Sequence, residues 1–193
     1  MILDKIVEKT QIRVAEAKAA KPFEAVKKEA LAALAAAPGS THCSFENALK
    51  SDDITFICEV KKASPSKGII SEHFPYLDAA REYERAGAGA ISVLTEPYFF
   101  LGSDRYLTEI KQAVSLPVLR KDFTIDAYQI YEAKAIGADA ILLICAILDT
   151  ATIKEFINIA EQLDLSCLVE AHDEKEIYSA LEAGAGIIGV NNR

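Results

Sequence analysis

The sequence has no excess of basic residues. Its 193 residues include 21 Lys and Arg against 29 Asp and Glu, which gives a formal charge of -8 at pH 7 and an isoelectric point of about 5.0. A chain with this charge has no positive field to attract phosphate backbones or anionic lipids, so nucleic-acid and membrane partners are disfavoured. An anionic small-molecule substrate would need a local cluster of basic side chains.

A long apolar run is also lacking. No hydrophobic stretch approaches the ~20 residues that a membrane helix needs. The N-terminal stretch "MILDKIVEKT" carries charges where a secretory signal has its apolar centre. We therefore expect a cytoplasmic protein without a membrane partner.

The sequence also lacks the residue spacing that is typical of metal ligands. The histidines and cysteines are scattered, with no CxxC or HxxxH arrangement: His42, His73, His172, Cys43, Cys58, Cys145 and Cys167. We predict no metal site. Cys58, Cys145 and Cys167 lie inside apolar runs, which is typical of buried reduced thiols.

The composition, 51% apolar and 26% charged, is that of a globular protein. Apolar residues recur at helical spacing through the first 37 residues, and this pattern is interrupted by Pro22 and ends at "APGS". We therefore predict a helical N-terminal extension over residues 1–48 and a separate domain over residues 49–193.

From residue 54 onward, short runs of branched apolar residues alternate with amphipathic segments. The predicted strands are 54–60, 90–95, 117–121, 139–144, 165–171 and 187–192. The predicted helices lie near 76–87, 104–114, 126–137, 150–163 and 173–184. Helices before three of the strands end in glycine, at "ERAGAGA", "KAIGADA" and "LEAGAGI". This alternation indicates an α/β fold whose parallel sheet is covered by helices.

Two closures fit such a sheet: an open, doubly wound form or a (βα)8 TIM barrel. No GxGxxG or GxxxxGK[ST] motif follows the first strand, which removes the commonest nucleotide-binding reason for the open form. The strands are apolar at their start and polar at their C-terminal ends, where barrel enzymes carry their catalytic groups. The pattern therefore favours the barrel.

The polar residues at the strand ends are of a kind that acid–base catalysis uses. They are Glu59, Lys61, Lys121, Glu170 and Asn191. Alternation along a strand places Glu59 and Lys61 on one face. A structural interpretation is that Glu59 and Lys61 form an ion pair at the barrel mouth and that Lys121 and Asp122 are a solvated strand end. Recurrence at four strands favours a functional interpretation.

The loop "KKASPSKGIISEHFP" after the first strand is long for a βα connection and is a lid candidate. Ser64, Ser66 and Lys61 have the chemistry to hold a phosphate. The alternative is that Ser-Pro-Ser merely turns the chain.

Five motifs together resemble indole-3-glycerol phosphate synthase, in the order and spacing of that family and over essentially the whole chain. They are "FICEVKKASPSKG", "LTEPYFFLGS", "VLRKDFTIDAYQIYEAKAIGADAILLI", "LVEAHDEKE" and "IGVNNR". The resemblance implies a (βα)8 barrel that converts 1-(2-carboxyphenylamino)-1-deoxyribulose 5-phosphate into indole-3-glycerol phosphate, carbon dioxide and water, with no cofactor or metal.

The resemblance also implies roles for the strand-end residues. Lys121 resembles the acid for ring closure and Glu170 the base, and Lys61 resembles the lysine that holds the substrate carboxylate and acts as an acid in dehydration. Glu59 and Asn191 resemble the groups that orient these lysines and contact the reacting hydroxyl.

Further residues resemble substrate-binding positions of the family. These are Ser64, Phe100, Phe123, Leu142 and Arg193. The resemblance makes Phe100 and Phe123 walls for the anthranilate ring, with Leu142 beside them. As aromatics near strand ends, the two phenylalanines are also compatible with plain core packing.

A complete barrel of this kind takes ~250 residues, whereas the pattern here predicts only six βα units. Two alternatives to the synthase therefore stay open. One is a non-catalytic fragment that self-associates through its unpaired barrel edges. The other is a different phosphate-binding barrel such as phosphoribosylanthranilate isomerase, although the Asp and Cys pair of that family does not suit "EVKKASPS" or "RKDF".

Overall fold

The computed structural model describes residues 2–36, 44–50 and 53–192. Its strands are β1 (Ile57–Val60), β2 (Ala63–Ser64), β3 (Gly68–Ile69), β4 (Ala90–Leu94), β5 (Val118–Lys121), β6 (Ala140–Ile144), β7 (Ser166–Ala171) and β8 (Ile187–Val190). Its helices are α1 (Ile2–Ala20), α2 (Phe23–Ala36), α3 (Ser44–Leu49), α4 (Tyr76–Arg85), α5 (Asp104–Ala113), α6 (Ala127–Ala135), α7 (Thr150–Gln162) and α8 (Glu174–Ala183).

The main sheet contains six strands in the order β1-β4-β5-β6-β7-β8, and every neighbouring pair is parallel. A helix connects each strand to the next, and the sheet curls into part of a TIM barrel. The predicted α/β class and the six parallel strands are confirmed over the described residues. Within the described ranges, β1 pairs only with β4 and β8 only with β7, so each presents an open edge.

Three glycines end helices where the sequence predicts them. Gly87, Gly137 and Gly184 have φ angles of 86°, 93° and 91°, in the left-handed region that residues with a Cβ adopt at a cost. Each glycine reverses the chain after α4, α6 or α8, so that the next strand can begin within a few residues. The short loops hold the strands in parallel order.

The two faces of the sheet pack against different partners. The outer face, which includes Ile91, Ile141 and Val169, joins the large core beneath the helices. On the inner face, Ala90, Leu119 and Ala140 form a smaller core with Phe45, which is fully buried. Phe45 comes from α3, a short helix that the sequence pattern does not predict. The inner face is therefore apolar toward the N-terminal ends of the strands.

The N-terminal helices α1 and α2 lie against α6. The hydroxyl of Tyr128 donates toward the carbonyl oxygens of Ala17 and Lys21, at 3.3 and 3.2 Å. The rings of Phe23 and Tyr131 meet edge to face, with centroids 5.2 Å apart. No helix in the described parts of the chain is long and apolar enough to cross a membrane.

Some local features differ from the expectations. The first strand begins at Ile57 rather than at residue 54, and Ile54 and Phe56, just before it, are 84% and 66% exposed. The long loop after β1 contains an antiparallel ribbon, β2 with β3. Cys58, Cys145 and Cys167 are half-buried rather than fully buried. Cys43 lies outside the described residues.

Candidate active site

The curled sheet brings the polar strand ends together at one mouth. Lys121 Nζ, at the end of β5, lies 3.9 Å from Glu59 Oε2 on β1 and 3.7 Å from Glu170 Oε2 on β7. Lys61 pairs with the other oxygen of Glu59. Asn191, just beyond β8, donates from Nδ2 to Glu170 Oε1 at 3.1 Å. The five polar residues singled out in the sequence thus form one continuous chain of contacts.

The charges of this chain alternate from lysine to carboxylate, and their side chains are only partly exposed. Glu170 is 16% exposed, Lys61 24% and Lys121 28%. A cavity of about 270 Å³ opens beside them, lined by Lys121, Leu168, Glu170, Gly189, Val190, Asn191 and Asn192. A ligand in this cavity would contact an ammonium group, a carboxylate and an amide at once.

Two aromatic side chains face each other at the same end of the sheet. The rings of Phe100 and Phe123, from the loops after β4 and β5, have centroids 6.1 Å apart and are tilted by 38°. Leu142 lies on β6 in register with Leu168 and is only 3% exposed. Ser64 is half-buried on β2. Arg193, the remaining predicted substrate-binding residue, lies outside the described residues.

The idea that Lys121 and Asp122 form a solvated strand end is wrong, because Asp122 is 2% exposed. Its carboxylate accepts from both terminal nitrogens of Arg13 on α1, at 2.9 and 2.6 Å. It also accepts from the Thr95 hydroxyl at 2.7 Å and from the backbone N–H of Phe123 at 2.8 Å. Burial alone would raise the pKa of Asp122, but the positive charges of Arg120 and Arg13 hold it below its usual value.

Arg120, on the other side of Lys121, is buried too, with 3% exposure. Its guanidinium contacts Asp104 on α5 at 2.9 Å and Glu132 on α6 at 2.7 Å. Burial would lower its pKa, but these carboxylates and Asp122 raise it. Both neighbours of Lys121 in the chain are therefore fixed by buried ion pairs, which anchors the end of β5. Sequence reasoning missed this network, and the charged pair flanking Lys121 in "LRKDF" was the available signal.

Sequence reasoning also missed His172, which lies beside the mouth. His172 Nε2 lies 3.9 Å from Glu170 Oε1, and Nδ1 lies 3.3 Å from Glu176 Oε2. The backbone N–H of His172 donates to the same Glu176 oxygen at 2.7 Å. A histidine two residues after Glu170 points to the same side of an extended chain, and this spacing was visible in "LVEAH".

The loops after β1 and β4 touch at the mouth. The backbone N–H of Ala63 donates to the Phe100 carbonyl at 3.2 Å. This contact joins the ribbon that carries Ser64 to the loop that carries Phe100. Over residues 2–36, 44–50 and 53–192, no three His, Cys, Asp or Glu side chains gather as metal ligands.

A parallel βα sheet whose strand ends converge on alternating lysines and carboxylates is typical of TIM-barrel enzymes that use acid–base chemistry. A family model described as indole-3-glycerol phosphate synthase matches residues 3–193, and the chain belongs to this family. The assigned resemblance and the barrel fold are thereby confirmed.

Relatives with this name match the chain over its full length. The indole-3-glycerol phosphate synthase of Ruminiclostridium cellulolyticum is 64% identical over 193 residues, which is all of this chain and 73% of that protein. The synthase of Endomicrobium trichonymphae is 61% identical over the same share of each chain. That of Lachnoclostridium phytofermentans is 50% identical over 200 aligned residues, covering 74% of its length. The function of this family is indole-3-glycerol phosphate synthesis.

Proposed function

We propose that this chain acts as a carbon–carbon lyase that closes, decarboxylates and dehydrates 1-(2-carboxyphenylamino)-1-deoxyribulose 5-phosphate by general acid–base catalysis. The observation that carries the proposal is the position of Lys121 Nζ, within 4 Å of both Glu59 and Glu170. An ammonium held between two carboxylates can give up a proton to a developing oxyanion while the site keeps its charge balance.

Ring closure is the step assigned to Lys121. The aryl carbon that bears the carboxylate attacks the ketone carbon, the carbonyl electron pair moves onto oxygen, and that oxygen takes the ammonium proton. Loss of carbon dioxide then returns its bonding pair to the ring and restores aromaticity. Lys61 holds the substrate carboxylate. Glu59, with which Lys61 pairs at the end of β1, orients the two lysines.

Dehydration needs an acid and a base on the same intermediate. The hydroxyl leaves as water with a proton from a lysine, and Glu170 takes a proton from the adjacent carbon to form the indole double bond. Asn191 supports this assignment because its amide fixes one Glu170 oxygen and leaves the other toward Lys121. A hydrogen-bonded carboxylate in a partly buried site is well placed as a base.

Substrate binding is assigned to the remaining predicted residues. Phe100 and Phe123 would enclose the anthranilate ring, with Leu142 behind them, while Ser64 and Arg193 would contact polar groups. The two lysines supply the local positive charge that an acidic chain otherwise lacks for an anion with a carboxylate and a phosphate. We propose that the reaction takes place in the cytoplasm and requires no nucleic-acid partner.

The test is direct formation of indole-3-glycerol phosphate by the 193-residue chain. Product fluorescence and carbon dioxide release are followed together, and the proposal expects one equivalent of each per substrate consumed. A folded chain that consumes no substrate would contradict the proposal for this chain.

A second proposal concerns association between copies. The open edges of β1 and β8 expose backbone groups that another strand can pair with. Ile54 and Phe56, just before β1, and Val190, at the end of β8, are 84%, 66% and 64% exposed. Apolar side chains beside unpaired strand edges favour self-association.

A further inference from the structure

Glu96 is a buried carboxylate that has no part in the chemistry described above. It lies two residues after the end of β4 and is 1% exposed. Its Oε1 accepts from the backbone N–H of Tyr98 at 2.9 Å, and its Oε2 accepts from those of Phe99 at 2.7 Å and Phe100 at 3.0 Å. Three charge-assisted hydrogen bonds compensate for the burial of the charge.

These hydrogen bonds wind the loop around the Glu96 side chain. The Glu96 carbonyl also accepts from the backbone N–H of Gly102 at 2.8 Å. Leu101 adopts a φ of 51°, which is uncommon for a residue with a Cβ. A Cβ on Gly102 would stand 2.4 Å from the Leu94 carbonyl oxygen, so the chain passes too close to β4 for a side chain there. The loop geometry is therefore strongly constrained.

The constrained segment carries contacts that reach the mouth of the barrel. The Phe100 ring stands against that of Phe123 with centroids 6.1 Å apart. The Phe100 carbonyl accepts from Ala63 in the loop after β1. These contacts connect Glu96, through Phe100, to both the aromatic pair and the neighbouring loop.

We propose that Glu96 is a positioning residue that fixes Phe100 for binding the aromatic part of the substrate. The inference rests on the proposed function for the identity of that ligand. A glutamine at this position offers one acceptor oxygen and one amino group, and the amino group cannot accept from a backbone N–H. At least one of the loop hydrogen bonds is then lost, and the Phe100 ring is held less firmly in place.

The experiment measures binding of indole-3-glycerol phosphate by fluorescence to the wild-type chain, Glu96→Gln, Phe100→Ala and the double variant. We expect Glu96→Gln to weaken binding about tenfold, which corresponds to one charge-assisted hydrogen bond. In the Phe100→Ala background the same change should have little further effect, because the ring through which Glu96 acts has gone. Glu96→Asp, which keeps the carboxylate on a shorter arm, should recover part of the affinity.

The matched control is Glu109→Gln on α5, which removes the same charge from a side chain that contacts Arg105 and Tyr76. It should bind the product like the wild type. Wild-type binding by Glu96→Gln, or an effect that adds fully to that of Phe100→Ala, would overturn the inference. A purely structural role predicts the additive result.

A wild-type chain that binds no product would count against the proposed function. The role of Glu96 in holding Phe100 is then tested in the ligand-free protein. Amide exchange at Phe99 and Phe100, together with the nuclear Overhauser contact between the rings of Phe100 and Phe123, reports the loop directly. Faster amide exchange and a lost ring contact in Glu96→Gln, but not in Glu109→Gln, support the inference. Unchanged signals overturn it.

Discussion

Lys121 Nζ lies 3.7 Å from Glu170 Oε2, although strand β6 separates β5 from β7. Neighbouring strands are about 4.8 Å apart, so two residues on alternate strands of a flat sheet stand roughly twice that distance from each other. Here the sheet curls, and long side chains on its concave face converge. The acid and base of the proposed reaction are thus brought together by the curvature of the barrel wall.

Replacement of Glu170 by glutamine should remove the base and leave the shape of the site nearly unchanged. We expect kcat to fall by about 10²–10⁴, the usual contribution of a positioned proton-transfer group. Initial rates of product fluorescence measure the effect. Glu155→Gln, at an exposed position on α7, is the control and should retain full activity. Near-normal turnover in Glu170→Gln would remove this residue from the mechanism.

Two substitutions at Lys121 separate proton donation from charge. Lys121→Arg keeps the positive charge, but a guanidinium holds its proton too tightly to act as an acid. Lys121→Met removes both properties. If Lys121 is the acid, both variants should lose about 10²-fold or more in kcat, whereas KM should rise only in Lys121→Met. Substantial turnover by Lys121→Arg would reduce the role of Lys121 to electrostatic binding.

The sequence predicts most of the main sheet because its signals are local. Three helices end at glycines, Gly87, Gly137 and Gly184, and apolar runs mark the strands. The parallel order places the carboxyl ends of all strands, and hence the polar residues there, at one edge of the sheet, and the curl of the sheet then brings their side chains together.

Other features depend on contacts that no local pattern reports. Asp122 looks solvated in the sequence, but its partner Arg13 lies 109 residues earlier in the chain. Glu96 is held by backbone groups, which carry no side-chain signature.

Self-association through the open edge of β1 predicts a concentration-dependent mass. Sedimentation velocity of the wild-type chain should show a larger species as concentration rises. Phe56→Lys places a charge beside the open edge and should shift the distribution toward monomer. Ile12→Lys, a similar change at an exposed position on α1, should leave it unaltered. A monomer at all concentrations would contradict the second proposal.

Removal of Arg13 should destabilise the fold, because Asp122 is then left buried without its bidentate partner. Breaking a buried ion pair from one side typically costs about 3–5 kcal/mol. We expect the free energy of unfolding of Arg13→Met, measured by urea denaturation at neutral pH, to be lower than that of the wild type by about this amount. Lys21→Met breaks the exposed pair with Glu29 and should change it by less than about 1 kcal/mol. Equal effects of the two variants would show that the Asp122 contact does not stabilise the fold.

The same carboxylate predicts how stability depends on pH. The pKa of Asp122 is lower in the folded chain than in the unfolded chain, because Arg120 and Arg13 outweigh the effect of burial. Its stabilising contribution is therefore present above the unfolded value of about 4 and is lost as pH falls through the lower folded value. Asp122→Asn cannot titrate, so it should be less stable than the wild type at neutral pH. The difference in free energy of unfolding between the two should narrow below about pH 4. A difference that stays constant down to the acid limit of folding would mean that Asp122 keeps the same pKa in both states.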